Sequence, residues 1–400
     1  MRNLLLSAFS CNPEGVSEAY SAFQWIKQAE KYFNLEVITT RSNKPVLEKT
    51  NLLNTRFKFI NTNTRFEKIQ VINKAIKFDY FLYNSKLKKM SNEGVKRFDL
   101  VHHHTPMAIR YANGLSQKSK KFLIGPIGGS VPTPSSFHQI FKREPLYYQL
   151  RKLDKLRLSL DRGLKETYEK SDKILIVGDY LKTFLPAKWH SKCEIMSETG
   201  ILADQFMPGA DSNPKTGIKL LFVGRIMPTK GLELLLFAMG DLISQHDIQL
   251  DVIGDGGDLL YCKKLARKLS IEKNVHFRGF MDKKTLLGYY QQCDIFVFPS
   301  LREASGNVIF EAMSCAKPLI VSNAGGPGEV VKDDFGIKID VKSYDQYIHD
   351  LVKALEWLIG LPDAKRIAMG QNARAEVLKK YDWEAKGKQI KKIYDDLMEQ

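Results

Sequence analysis

Residues 294–316 read DIFVFPSLREASGNVIFEAMSCA. The apolar run DIFVFP has the length and composition of a buried strand. After Asn307, the residues Val308, Ile309, Ala312 and Met313 fall on one face of a helix. The stretch therefore predicts a strand, a short loop and a helix, with Glu303 in the loop and Glu311 inside the helix. Loop and first-turn N–H groups near Ser305, Gly306, Asn307 and Val308 would be free to hold an anion. Taken alone, the two acids serve equally well as partners of the helix dipole.

The same alternation runs outward in both directions. Upstream, strands are expected at 3–9, 35–39, 57–60, 100–102, 122–127 and 174–177, the last of these closing the first half. A helix is expected over 17–33. Further strands are expected at 219–223, 249–253, 275–277, 294–298 and 318–321, with helices from 230–231, over 259–268 and over 383–398. Strand–helix alternation of this kind predicts α/β units with parallel, doubly wound sheets. Residues 209–217 are rich in Asp, Ser, Asn, Pro and Gly and mark the linker. Two such sheets in tandem would place ligands at their strand ends.

Four hundred residues with 44% hydrophobic and 26% charged content suit a soluble protein of two or three domains. No apolar run approaches the ~20 residues of a membrane span. Cys11, Cys193, Cys262, Cys293 and Cys315 are scattered without metal or disulfide spacing, which predicts a reduced, cytoplasmic setting. Residues 1–198 carry 34 Lys and Arg against 18 Asp and Glu, and the remainder carries 27 against 27. The whole excess of +16 thus sits in the first half and predicts an anionic partner there. Segments 65–90 and 140–170 are expected as basic amphipathic helices, with Phe66, Phe81, Leu146, Leu150, Leu153 and Leu160 among the cations. Such helices fit either the anionic inner face of a membrane or ordinary solvent-facing packing. Their aromatics do not form an interleaved sheet platform, which argues against nucleic acid.

Several constellations carry chemistry. Gly224-Arg225 ends a strand and Lys230-Gly231 opens the next helix, a pairing suited to a diphosphate. Gly254-Asp255-Gly256-Gly257 follows the next strand but lacks the full spacing of a dinucleotide fingerprint. His102, His103 and His104 are consecutive on a strand and point alternately, so no metal site is expected there.

The sequences VGRIMPTKGLELLL (223–236), DVIGDGGDL (251–259), VHFRGF (275–280), residues 293–326 and YDWEAKGKQI (381–390) occur in one order. Together with TGILADQFMP (199–208), they resemble the donor half of retaining glycosyltransferase family 4, of the bacterial surface-polysaccharide type. The resemblance covers about 180 residues, includes the complete Glu–seven residues–Glu element, and departs from the family at Thr199, where Asn is usual. It implies the GT-B fold: two doubly wound Rossmann-like domains facing a central cleft. It divides the chain into 1–205 for the acceptor, 206–380 for the nucleotide-sugar donor, and a C-terminal helix 381–400 returning to the first domain.

By this resemblance, Arg225 and Lys230 neutralise the diphosphate leaving group, Glu303 contacts the transferred sugar and Glu311 the ribose. Ser305, Gly306, Asn307 and Val308 would hold phosphate or sugar, with Gly224 and Gly254 lining the site and Arg278, Gly279 and Phe280 against the base. On the first half, Gly15 in SCNPEGVS stands in the family's glycine-rich loop, with one glycine where two are common. Gly128 and Gly129 in GPIGGS occupy the place of the family's cleft histidine, and His104 is the candidate replacement. The implied activity is metal-independent transfer from a nucleoside diphosphate sugar, a UDP-sugar favoured, to a glycan or lipid-linked acceptor. No cofactor is expected. A nucleotide-sugar epimerase or a phosphorylase on the same fold is the alternative, with nucleic-acid binding more remote.

Overall fold

The computed structural model describes residues 1–62, 77–129, 131, 134–143, 154–209 and 217–399. Phe66, Leu146, Leu150, Leu153 and nearly all of the expected linker lie outside the described residues. The chain forms two compact units. One comprises Met1–Ser130, Pro145–Gly200 and Trp383–Gln400; the other comprises Val131–Glu144 and Ile201–Asp382.

The first unit is built on strands β1 (Asn3–Ala8), β2 (Asn34–Thr40), β3 (Thr55–Ile60), β4 (Leu100–Thr105), β5 (Phe122–Ile127), β6 (Lys173–Ile176) and β7 (Cys193–Ile195). They lie in the order β3-β2-β1-β4-β5-β6-β7, all pairs parallel. Residues 174–177 therefore do not hold the last strand of this half. The three residues Cys-Glu-Ile pair with β6 at the sheet edge, where a short strand needs no apolar run. Helix α1 (Glu18–Ala29) follows β1 and buries Phe23, Trp25 and Ile26.

The described part of 65–90 is α2 (Phe78–Lys88), which turns Tyr80 and Tyr83 inward and leaves Phe81 43% exposed. The expected helix over 140–170 is broken. Asp161 accepts a bond from the Leu164 N–H and starts α3 (Arg162–Glu169) as an N-cap, separating it from the helical turn Asp154–Leu160.

The second unit repeats the pattern with β8 (Ile218–Val223), β9 (Ile248–Ile253), β10 (Val275–Gly279), β11 (Ile295–Phe298), β12 (Leu319–Ser322) and β13 (Gly336–Ile339). Their order is β10-β9-β8-β11-β12-β13, again all parallel. Its helices are α4 (Leu232–Leu242), α5 (Leu259–Lys268), α6 (Lys283–Gln292), α7 (Asn307–Ser314), α8 (Gly325–Val330), α9 (Tyr344–Gly360) and α10 (Asp363–Lys380). In each sheet the strand order reverses, between β1 and β4 and between β8 and β11. Ligands of such sheets bind outside the strand ends at that point.

The final helix, α11 (Trp383–Glu399), returns to the first unit and packs on α1. Trp383 and Tyr394 are fully buried there, and the Trp25 indole N–H donates to the Tyr394 hydroxyl at 2.8 Å.

Candidate donor site

The second unit gathers its candidate residues at the carboxyl ends of β8, β9 and β11. Gly224 closes β8 with φ 159°, and Gly254 closes β9 with φ 134°. A Cβ on Gly254 would meet the Gly224 carbonyl oxygen at 1.9 Å, and one on Gly256 would meet the Ile226 carbonyl oxygen at 2.2 Å. The two loops can touch only because these positions lack side chains. Backbone bonds tie them further: Gly224 N–H to Ile253 O at 3.0 Å and Ile226 N–H to Asp255 O at 2.9 Å. Arg225, the residue after Gly224, is exposed.

A turn at Pro228–Lys230 leads into α4, whose N-cap Gly231 has φ 69° and supplies no side-chain cap. The turn is fixed to the β11 loop by Leu301 N–H donating to Thr229 O at 2.9 Å. Lys230, only 8% exposed, donates its ammonium to the Glu303 carboxylate and lies 5.4 Å from the Phe298 ring centroid. This ion pair joins the two groups that the sequence placed 73 positions apart.

Glu303 is held from below as well. Its carbonyl oxygen accepts the Gly326 N–H at 3.1 Å, and a Cβ on Gly325 would meet that oxygen at 2.0 Å. Next along the loop, the Ser305 hydroxyl is buried with no hydrogen-bond partner among the described residues. Gly306, with φ 78°, then begins α7, and no side chain caps that helix. An orphaned hydroxyl and an uncapped helix N-terminus together suit an anionic or hydroxyl-bearing ligand. Asn307 is exposed and Val308 half-buried at this end.

Glu311 lies one turn further into α7. The Tyr290 hydroxyl donates to its carboxylate at 2.8 Å, and burial raises its carboxyl above the ordinary range against the opposing pull of that bond. Sequence alone gives no sign of Tyr290, which lies 21 positions away on α6.

The region expected against a base is divided. Gly279 (φ 75°) accepts the Gly254 N–H at 2.9 Å, so it joins the strand ends. Phe280 projects with 87% exposure. The Arg278 side chain turns to the sheet face, pairing with Asp251 at 2.7 Å with its guanidinium 6.0 Å from the Tyr289 ring centroid. The structure thus does not bring Arg278 to the Lys230–Glu303 pair.

Candidates in the first unit lie at the ends of its own strands. Gly15 sits in the loop after β1, its N–H bonded to Asn12 O at 3.2 Å. Gly128 is buried, and a Cβ there would meet the Glu198 carboxylate at 1.9 Å; Gly129 has φ 75°. His104 is fully buried, its ring 4.7 Å from Trp25 and its Nδ1 3.2 Å from the Gly125 carbonyl oxygen. Burial pushes it well below the usual histidine range, so it stands as a neutral interior group. His102 shares that interior, its ring nitrogens 2.7 Å from the Tyr394 hydroxyl and 2.6 Å from Gly125 O, while His103 meets the Asn113 amide at 3.0 Å.

Residues 205–376 match the family model described as glycosyl transferases group 1. The chain is similar to an uncharacterized glycosyltransferase of Methanocaldococcus jannaschii, 26% identical over 80% of each protein. It is also similar to a D-inositol 3-phosphate glycosyltransferase of Corynebacterium jeikeium, 34% identical over 50% of each, so it spans about half the length of that relative. Among solved structures, it superposes on the Anabaena HepE protein in complex with UDP with TM-score 0.64. That pair is 16% identical, covering 99% of this chain and all of the other. The chain accordingly has the GT-B fold, and the match to glycosyl transferases group 1 is confined to residues 205–376 of its second unit.

Proposed function

We propose that the protein is a metal-independent, retaining transferase that moves a sugar from a UDP-sugar to a glycan or lipid-linked acceptor in surface-polysaccharide assembly. The observation that carries this reading is the Lys230–Glu303 ion pair, set beside the exposed Arg225 and the uncapped start of α7. Lys230 and Arg225 offset the charge of the departing diphosphate, the work a metal ion does elsewhere. Glu303 accepts hydrogen bonds from the sugar hydroxyls, and its bond to Lys230 supports a role for the ammonium at the neighbouring phosphate. Glu311 accepts the ribose hydroxyls, its carboxylate aligned by Tyr290. The departing phosphate takes the acceptor's proton on the face it leaves, so retention requires no protein nucleophile. The relative bound to UDP supports uridine as the base, and the basic first half of the sequence supports an acceptor at an anionic membrane face.

The test is a thermal-shift panel of nucleoside diphosphates and their sugars. A ligand that binds only the folded chain stabilises it by about 2.7 kcal/mol at a hundredfold excess over its Kd. UDP and at least one UDP-sugar are expected to raise Tm, and ADP and GDP to do so less. A panel in which no nucleotide raises Tm would contradict the reading.

A further inference from the structure

Residues 131–143 come from the first half of the sequence but belong to the second unit. Their described side chains reach the Lys230 turn, the β11 loop and the helix after the Gly254 loop. Val131 lies against Gly325, 3.2 Å from where a Cβ would stand, directly beneath Glu303. Phe137 is fully buried in the second unit's core, with its ring 6.2 and 6.0 Å from those of Tyr344 and Tyr347. The turn His138–Phe141 packs on the turn Pro228–Lys230, and Phe141 lies 5.4 Å beneath the Arg302 guanidinium.

The arm's last described residue, Arg143, makes the most specific contacts. Its guanidinium pairs with the Glu233 carboxylate in the first turn of α4 and with Asp258 at 3.3 Å, while stacking 4.2 Å from the Tyr261 ring. Glu233 also accepts the Tyr344 hydroxyl at 2.8 Å. Asp258 is the N-cap residue of α5, yet its carboxylate does not cap that helix and goes to Arg143 instead. Both acids are nearly buried, at 6% and 8% exposure. Arg143 therefore bridges the helix that follows Lys230 and the helix that follows Gly254, and offsets two desolvated negative charges at the ends of the loops proposed to hold a diphosphate.

We infer that Arg143 is a positioning residue for donor binding: it locks the Lys230 and Gly254 loops together and halves the Glu233 and Asp258 charge that would otherwise repel the diphosphate. This rests on the function proposed above. The arm from which Arg143 projects is a structural part of the donor site, although Arg143 lies 90 positions before Glu233 and outside the matched residues 205–376.

The test is titration calorimetry with UDP on the full chain, together with donor kinetics on whichever UDP-sugar the protein turns over. Arg143→Met is expected to weaken UDP and raise the donor KM about tenfold or more, with kcat changed far less, as truncating one side of a buried charge pair does. Arg143→Lys is expected to recover most of that loss. Arg143→Met combined with Glu233→Gln is expected to bind UDP better than Arg143→Met alone, because one orphaned charge has gone; a purely structural role predicts that the two losses sum. If Arg143→Met does not fold, Glu233→Gln alone decides: with one of the cluster's two negative charges gone, UDP should bind more tightly, and unchanged or weaker binding overturns the inference. Wild-type affinity in a folded Arg143→Met, or a loss confined to kcat, overturns it as well. If the wild-type chain itself binds no UDP, it is the proposed function that fails, and the inference falls with it.

Discussion

At the scale of single residues, the proposed donor chemistry depends on three side chains whose partners are fixed by burial. Lys230 is sequestered against Phe298 with Glu303 as its counter-charge, so losing either leaves the other unpaired in a poorly solvated place. Lys230→Ala and Glu303→Gln are each expected to lower kcat/KM by about a hundredfold or more, the scale of a lost transition-state donor. Circular dichroism should meanwhile show a folded chain, with Tm lowered by the unpaired charge; turnover near wild type in both variants contradicts the assignment. Glu311 admits a finer test, because its proposed partners are the ribose hydroxyls. Glu311→Gln should weaken UDP about tenfold, a charged hydrogen bond's worth. It should leave 2′,3′-dideoxy-UDP unaffected, and an equal loss on both ligands would mean that Glu311 acts only through Tyr290.

At the scale of elements, the strand ends are set by glycines that nothing else can replace. Gly254→Ala puts a methyl group into the Gly224 carbonyl at a φ that only glycine adopts readily, and is expected to cost about 2–4 kcal/mol in urea unfolding. Little or no change would mean that the two loops are not locked together. Much of this level was legible in the sequence. The apolar runs of β5, β8 and β11 announce themselves, and the spacing of Val308, Ile309, Ala312 and Met313 marks α7 with Glu303 outside it and Glu311 within. Other elements carry weaker signals. In β7, Cys-Glu-Ile is three residues at a sheet edge, and β13 alternates Ile with Lys in Gly-Ile-Lys-Ile, so neither presents an apolar run. Asp161 reads as one more charge in a basic helix until its carboxylate is seen capping α3. Tyr290 and Arg143 were illegible for a different reason. Each meets its partner only through tertiary packing, and Arg143 stands in a segment whose basic composition suggests a solvent-facing helix.

At the scale of the whole molecule, the chain closes its first unit with its last helix, and that closure carries a titratable group. Lys386 on α11 is 1% exposed, lies 5.8 Å from the Trp25 ring centroid and 5.5 Å from that of Trp383, and donates to Ser197 O at 2.7 Å. Burial lowers its pKa to about 7, partly offset by the Glu198 carboxylate. In the unfolded chain the same ammonium titrates near 10.4. Between these values the unfolded chain holds a proton that the folded chain has released, so stability climbs as pH rises through the window and the penalty is complete below about 7. Lys386→Met should therefore stabilise the protein most at about pH 6, with the gain shrinking toward about pH 10. A difference in Tm that does not vary with pH would show that the buried ammonium is not the cause.

Among the described residues no helix is long and apolar enough to cross a membrane. The excess charge of the first half makes a separate prediction: sedimentation with anionic liposomes at low salt, lost at high salt as counter-ions screen the attraction. A chain that stays in the supernatant at low salt refutes the membrane part of the proposal alone.

The central claim is that the second unit cleaves a nucleoside diphosphate sugar with retention at the anomeric carbon. It is tested most directly by proton NMR of the protein incubated with the UDP-sugar that stabilises it best, first without and then with a glycan acceptor. Release of UDP is expected, with a first-formed sugar product that keeps the donor's own anomeric configuration, both absent in Glu303→Gln. Inverted product, an isomerised nucleotide sugar with no transfer, or an intact donor would contradict it.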